Sequence, residues 1–250
     1  MARHALLNNV DHHDLRVIPR YGAEFGDNVA TILTFPTEYA DMQREYPIFF
    51  RKDKTSGEFH SVALLGFREG ENLFLENGRW NARYLPGMVA RGPFLIGFQE
   101  QRVDGEIRRE PVIHVDLDHP RVSRTEGQSL FLPLGGNSPY LEHVATVLRG
   151  IHEGIEIARA MFAAFLELNL IESVKVEVNV SETEKYGIEG LHTIDQARLR
   201  ALDGEALQRL HRFGFLESAF LVSASLGNVK SLMAMKQRRA ATATEAASAG

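Results

Sequence analysis

Histidine and aspartate alternate in the segment VIHVDLDHPRVS, residues 112–123. His114, Asp116 and Asp118 stand two residues apart, and side chains at i and i+2 of an extended chain project from one face. An imidazole and a carboxylate at this spacing are two of the three ligands of a non-haem iron facial triad. The segment therefore suggests one chemical hypothesis, a metal-dependent oxygenase that uses His114, Asp116 and a third ligand.

The third ligand would have to be a histidine from another part of the chain. The candidates are His143, His152, His192 and His211. No spacing singles out one of them, and a three-residue motif has low specificity. We therefore favour an interpretation without a metal, in which the segment builds a turn.

In this structural interpretation, Ile113, Val115 and Leu117 point into the core and the acidic residues point outward. The strand ends at a proline, which removes a donor from the ladder. Side-chain oxygens in the turn accept hydrogen bonds from backbone amides, and the arginine pairs with a carboxylate. The structural corner or binding surface would consist of Asp116, Asp118, Arg121 and Ser123.

Other candidate sites give weaker signals. Asp11, His12, His13 and Asp14 are adjacent, but neighbouring histidines on an extended chain point in opposite directions, so a solvated segment is expected. The chain contains neither a glycine-rich phosphate loop nor a Gly-x-Ser-x-Gly elbow. Three aromatic residues would line a pocket or belong to the core: Trp80, Tyr84 and Phe94.

The amino-acid composition excludes several classes of functional site. The 250-residue chain has no cysteine, which excludes disulfides, thiolate zinc sites, iron–sulfur clusters and a cysteine nucleophile. The net charge of -5 comes from 28 basic and 33 acidic residues that are interspersed, unlike the one-signed field of a nucleic-acid-binding protein. We expect no nucleic-acid partner and no cofactor.

Two segments bear on location. The N-terminal MARHALLNNVDHHDLRV lacks the uninterrupted apolar core of a secretory signal. The late segment FGFLESAFLVSASLGNVKSLMAM is interrupted by Glu217, Asn228 and Lys230, which is typical of a buried or amphipathic helix. We expect a soluble cytoplasmic protein without a membrane span, and surface association stays open.

The first half of the chain favours strands. Two apolar runs flank the polar linker 51–58 and predict a hairpin, and a turn at Asp104-Gly105 predicts a second one. The alternation in VKVEVNV, residues 174–180, predicts a strand at an antiparallel edge.

Helices dominate the second half. Ser138 followed by Pro139 predicts the start of a long helix. Its apolar stripe consists of Leu141, Val144, Leu148, Ile151, Ile155, Ala158, Phe162 and Phe165. Thr193 with Gln196 suggests a capping box, Asp203 a second cap, and residues 215–238 a final helix.

These elements predict an α+β fold, a largely antiparallel sheet packed by a long central helix and C-terminal helices. We expect residues 1–17 to form an N-terminal extension and residues 18–239 a single domain. The small polar residues of the tail 240–250 predict disorder.

Several blocks, taken in order, resemble the bacterial SapC family, and the resemblance extends from about Ile18 to Arg239. The blocks are YPIFFRKDKTSGEFHSVALLGFREGENLFLENGRWNARYLPGMVARGPFLI, VDLDHPRVSRTEGQSLF, SPYLEHVATVL, GLHTIDQARLRAL and FLVSASLGNVKSLMAMKQRR. Within the second block, the positions that match the family pattern are Asp116, Asp118, Pro120, Arg121, Ser123, Glu126 and Gly127. His119 stands where the pattern has serine, and His114 is not part of it, which weakens the iron hypothesis.

The resemblance implies a soluble protein that is associated by name with surface layers. The family is distinct from the similarly named peptide-transporter permease. Its members are often encoded near TonB-dependent receptors and tryptophan-halogenase-like proteins. A non-enzymatic accessory or binding protein of a cell-envelope or nutrient-uptake system, with a protein partner, is the function that this resemblance favours.

Two alternatives remain beside this function. One is an enzyme that modifies peptides or small molecules, such as the oxygenase with His114 and Asp116. The other is a structural subunit of an assembly, for which the edge strand VKVEVNV or an exposed stripe on the C-terminal helix would form a homo-oligomer interface.

Overall fold

A computed structural model of the chain describes residues 3–103, 106–180 and 184–248. Antiparallel sheets combine with helices, which confirms the α+β class. The chain divides into two compact units. The first unit contains residues 1–27 and 87–153, and the second unit contains residues 28–86 and 154–250.

The first unit contains two antiparallel three-stranded sheets with the orders β1-β9-β8 and β10-β2-β11. The strands described in it are β1 (His4–Leu6), β2 (Arg16–Val17), β8 (Phe94–Val103), β9 (Glu106–Asp116), β10 (Val122–Ser123) and β11 (Gln128–Ser129). β8 and β9 pair from Phe94 with Val115 to Val103 with Glu106, which confirms the second predicted hairpin. The predicted turn residues of this hairpin, Asp104 and Gly105, lie outside the described residues.

The second unit contains a five-stranded antiparallel sheet with the order β12-β13-β4-β5-β3 and a separate pair β6-β7. Its described strands are β3 (Thr31–Leu33), β4 (Ile48–Lys52), β5 (Phe59–Leu64), β6 (Leu75–Glu76), β7 (Arg79–Trp80), β12 (Ile171–Asn179) and β13 (Lys185–Ile194). β12 lies at one edge of the sheet, as the alternation of valines with polar residues predicts.

The described helices belong mostly to the second half of the chain. They are α1 (Tyr39–Met42), α2 (Gly87–Ala90), α3 (Pro139–Glu167), α4 (Gln196–Arg200), α5 (Gly204–Arg212), α6 (Phe215–Ser225) and α7 (Asn228–Ser248). Short 3-10 helices span Ala23–Phe25 and Pro36–Glu38.

The helix α3 begins where the sequence predicts. Ser138 Oγ accepts a hydrogen bond from the amide of Leu141 at 3.2 Å, so it satisfies a free donor of the first turn. The apolar stripe is buried in the core of the first unit up to Leu148 and in the core of the second unit from Met161 onward. Ile155 is an exception, because it is exposed.

The hairpin of β4 and β5 confirms the first turn prediction. Asp53 Oδ1 accepts hydrogen bonds from the amides of Thr55 and Ser56 at 2.8 and 2.7 Å, and Gly57 supplies the positive φ that closes the turn. Phe50 of β4 then packs edge-on against Phe162 of α3, with ring centroids 5.0 Å apart. The turn thereby places two strands against a helix.

Two helix predictions are wrong in detail. Asp195, and not Thr193, caps α4, because its Oδ1 accepts the amide of Arg198 at 3.0 Å while Thr193 belongs to the ladder of β13. Asp203 caps α5 as expected. The final helix is two helices, α6 and α7, because the chain breaks at Gly227, a residue that favours helices weakly.

Both chain termini contribute regular structure. β1 pairs with β9 inside the segment 1–17 that the sequence assigns to an extension. α7 continues to Ser248, through most of the segment 240–250. Folding of residues 18–239 as one cooperative domain stays a prediction.

Candidate functional site

The alternation in residues 113–117 orients β9 in the first unit. Val115 is completely buried, and Ile113 and Leu117 pack against the same apolar cluster. Ile113, Val115 and Leu117 therefore face the core, as the sequence predicts. β9 ends at Asp116, so Asp118 belongs to the following turn and not to the strand.

His114 packs over the backbone of the neighbouring strand. A Cβ atom added to Gly97 of β8 would lie 2.7 Å from His114 Cδ2 and 2.8 Å from Nε2. The imidazole thus occupies the space that a side chain at Gly97 would fill, and only glycine permits this approach. The position gives His114 a packing role in the β8–β9 ribbon.

The two aspartates hold backbone amides. Asp116 Oδ1 accepts the amide of Asp118 at 3.1 Å, which is an Asx turn. Asp118 Oδ2 accepts the amide of Arg3 at 3.1 Å, just before β1. The two carboxylates therefore connect the end of β9 to its own turn and to the N-terminal strand.

Arg121 is the most enclosed charged group of this region, with 5% of its surface exposed. Its Nη2 donates to Asp27 Oδ2 at 2.5 Å, and Asp27 is 7% exposed. Its Nε donates to the carbonyl of Arg20 at 3.1 Å. The guanidinium lies 5.1 Å from the ring centroids of both Tyr21 and Phe25. The pair is buried, charge-assisted and flanked by aromatic rings.

Residues 123–127 complete the turn. Ser123 Oγ accepts the amides of Thr125 and Glu126 at 3.2 and 3.1 Å. Gly127 has φ +102°, and a Cβ there would lie 2.3 Å from the carbonyl oxygen of Val17. We call the two segments 16–27 and 114–127 the Arg121 corner.

His119 titrates differently from an exposed histidine. Burial, followed by the positive charge of Arg121, lowers the pKa of His119 below its usual value. The His119 Nδ1 lies 3.1 Å from the amide of Arg121 and accepts its hydrogen. Protonation at Nδ1 would replace this acceptor with a donor.

We expect the free energy of unfolding to fall as the pH drops from 7 to 5, partly because of His119. Its pKa is depressed in the folded state, so below about 6.5 the unfolded chain binds more protons and acid favours unfolding. The variant His119→Asn should lose less stability over this range, as measured by urea unfolding at each pH. The exposed His143→Asn serves as the control, and equal pH dependence in all three proteins would contradict the prediction.

No cluster of three metal-ligating residues was found among the described His, Asp and Glu side chains. The third-ligand candidates lie on helices and on one strand: His143 and His152 on α3, His192 on β13 and His211 on α5. The ring of His152 lies 5.0 Å from that of Phe98, and the ring of His192 lies 5.0 Å from that of Phe59. These contacts are aromatic packing.

The three aromatic pocket candidates belong to two different apolar clusters. Phe94 is completely buried in the core of the first unit, whereas Trp80 and Tyr84 pack against the core of the second unit. Trp80 Nε1 donates to the hydroxyl of Tyr46 at 2.7 Å. Tyr84 donates through its hydroxyl to Glu38 Oε2 at 2.9 Å.

Glu38 is a buried acidic residue that no sequence pattern indicated. Its Oε1 accepts the hydroxyl of Thr34 at 2.8 Å, and its Oε2 accepts that of Tyr84. Burial and the negative charge of Glu38 raise the pKa of Tyr84, so the phenol remains a donor. Thr34 and Glu38 are four residues apart, one more than the spacing of a capping box, so no local pattern indicated this pair.

The expectation of a solvated segment at residues 11–14 is wrong for one residue. His12 is buried, and its Nδ1 accepts the amide of Asn8 at 3.2 Å. His13 is exposed, so the two histidines do point in different directions. The tight turn that Asn8 organises explains the burial, since Asn8 Oδ1 accepts two further amides.

The family model of SapC matches residues 7–232. The chain belongs to the SapC family. The match extends across both units and includes the whole Arg121 corner, which confirms the resemblance seen in the sequence. No curated protein and no solved structure matches the chain significantly. Within the described part of this SapC chain, no helix combines the length and apolarity needed to cross a bilayer.

Proposed function

We propose that the protein is a non-enzymatic accessory or binding protein of a cell-envelope or nutrient-uptake system. One observation carries the proposal: the polar residues that the sequence indicates as candidate catalytic or metal-binding groups make contacts that stabilise the fold. Asp116 and Asp118 accept backbone amides, and Arg121 is enclosed with Asp27. His114 packs on Gly97. Because these groups stabilise the fold, we infer that the chain is a scaffold whose exposed surface binds a partner.

The partner classes follow from membership of the SapC family. Members are often encoded near TonB-dependent receptors and tryptophan-halogenase-like proteins, and these are the first proteins to test. A binding protein in this setting would contact its partner through exposed side chains outside the Arg121 corner.

The test is co-expression of the full chain with a TonB-dependent receptor or a tryptophan-halogenase-like protein, followed by light scattering on the purified mixture. We expect a complex of defined stoichiometry that survives His114→Ala. Metal analysis of the untagged chain gives the opposing outcome. One iron per chain, lost in both His114→Ala and Asp116→Ala, would contradict the proposal and support the oxygenase.

A further inference from the structure

A cavity of about 720 Å3 lies on the five-stranded sheet of the second unit. Its lining comes from β3, β4, β5, the turn after β4 and the Glu189–Gly190 part of β13. The volume is in the range of sites that hold ligands or peptide side chains. Neither the Arg121 corner nor Glu38 with its partners Thr34 and Tyr84 contributes to the lining.

The cavity adjoins an open strand edge. β3 is the last strand of the sheet, and its amide and carbonyl groups pair with β5 only through alternate residues. Thr34 donates to Ser61, and Leu65 donates to Ala30, so the intervening Thr31 and Leu33 direct their peptide groups away from β5. No other strand of the described residues pairs with that side. Such an edge is a template for an added strand.

Basic side chains border this edge. Arg51 and His60 are opposite each other in the β4–β5 register and are exposed on one face of the sheet. Arg51 makes one long hydrogen bond, 3.5 Å from Nη1 to Thr31 Oγ1, which shows that its guanidinium reaches across β5 to β3. Lys54 extends from the adjoining turn. Within the part of the chain that the structure describes, no further hydrogen bond engages the side chains of Arg51, His60 or Lys54, so most of their donors are available to a ligand.

The acidic residues at the cavity have partners within the fold. Asp53 accepts the turn amides of Thr55 and Ser56. Glu189 pairs with Lys175 at 3.4 Å. Asp53 also acts electrostatically on His60, so it offsets part of the basic charge. The lining still contains Arg51, Lys52, Lys54 and His60 against two carboxylates, and this excess of basic groups favours an acidic ligand.

Apolar side chains form the floor of the same face. Leu33 and Val62 are cross-strand partners, and Leu33 remains 40% exposed. A strand placed beside β3 would put alternate side chains on this face. One residue of that strand would stand opposite Thr31, about 4.8 Å away, within reach of the Arg51 guanidinium.

We propose that the open edge of β3 and its basic face bind an extended acidic peptide segment of a partner protein by strand addition. The proposal rests on the proposed binding function and specifies the surface that performs it. Backbone hydrogen bonds to Thr31 and Leu33 provide affinity, and carboxylates facing Arg51, His60 and Lys54 provide selectivity. A segment that alternates acidic with apolar residues fits both features.

The probe is a fluorescent seven-residue peptide that alternates glutamate with valine, titrated with the full chain and measured by anisotropy. We expect saturable binding that weakens with salt. A peptide that alternates lysine with valine should bind at least tenfold more weakly. The glutamate peptide with alternate backbone amides methylated should also lose at least tenfold, because it cannot complete the ladder. Equal binding of all three peptides would overturn the proposal.

Variants of the chain test the surface itself. Arg51→Glu should weaken binding of the glutamate peptide at least tenfold, whereas Lys230→Glu, an equal charge change at an exposed position of α7, should not. Unchanged binding by Arg51→Glu would overturn the proposal. A second result would also overturn the proposal: the chain binds no peptide but forms a dimer, and Arg51→Glu abolishes the dimer. A second copy of the chain would then occupy the β3 edge.

The two proposals fail separately. If the chain forms its receptor or halogenase-like complex and Arg51→Glu leaves that affinity unchanged, the binding function stands and the β3 edge is not its surface. If neither partner binds while the glutamate peptide does, the edge is supported and the proposed setting is wrong.

Discussion

Replacing Arg121 with alanine is expected to destabilise the first unit by about 3–5 kcal/mol, the range for breaking a buried ion pair by removing one partner. The loss arises because Asp27 would remain in an enclosed site without the guanidinium that pairs with it. The carbonyl of Arg20 would lose its donor, and the rings of Tyr21 and Phe25 would lose the group between them. Urea unfolding, followed by circular dichroism and extrapolated to water, measures the change.

Arg124→Ala is the matched control for this prediction. Arg124 also pairs with an aspartate from the N-terminal segment, Asp14, but both side chains are substantially exposed. Solvent screens such a pair, so its removal should cost only a small fraction of the Arg121 loss. The double variant Arg121→Met/Asp27→Leu should recover much of the lost stability, because no uncompensated charge remains. Equal losses in Arg121→Ala and Arg124→Ala would show that enclosure is not what makes the corner important.

The Arg121 corner also shows how far sequence reasoning reaches. The pairing of Arg121 with a carboxylate follows from the residue type, but the choice of Asp27 does not. The two residues are 94 positions apart, and only the fold brings them together. Likewise, Gly97 gives no sign in the sequence that His114 will cover it. Functional groups whose partners are distant in the chain could be recognised as candidates but not assigned a role.

Local patterns predicted the fold better than long-range ones. Helix α3 begins at a capping serine, and β4 and β5 are joined by a turn that Asp53 and Gly57 build, so neighbouring residues determine these features. β3 was missed, because three residues contain too little alternation to indicate a strand and its pairing with β5 is a tertiary contact.

The break between α6 and α7 also depends on a distant contact. The side chain of Asn228 donates to the carbonyls of Gln43 and Tyr46 at 2.7 and 3.3 Å, 185 and 182 positions away. This contact anchors the start of α7 to the segment before β4. Periodicity alone favoured one continuous helix, since an interruption of two residues hardly disturbs the apolar pattern.

Replacing Lys236 with methionine should cost about 3 kcal/mol, the low end of the range for breaking a buried ion pair. Glu71 would lose its short partner and keep only the exposed Arg68, whose Nε lies 3.5 Å from Glu71 Oε1. Lys236 Nζ lies 2.6 Å from Glu71 Oε1, and both side chains are less than a tenth exposed. Burial lowers the pKa of Lys236, but the hydrogen bonds to Glu71 and Tyr186 outweigh it and raise the pKa. Methionine keeps the length and apolar volume of the stem, so urea unfolding reports the loss of charge and not of packing.

Lys230→Met controls for the loss of a lysine on the same helix. Lys230 is exposed on α7, so this change should alter stability little. In the double variant Lys236→Met/Glu71→Gln, the neutral amide can still accept the amide of Phe67, which Glu71 Oε2 binds at 3.0 Å. The double variant should therefore be more stable than Lys236→Met alone. If it is less stable, Glu71 must be satisfied by other groups around it, and the Lys236 pair would not be what holds α7 against residues 67–71.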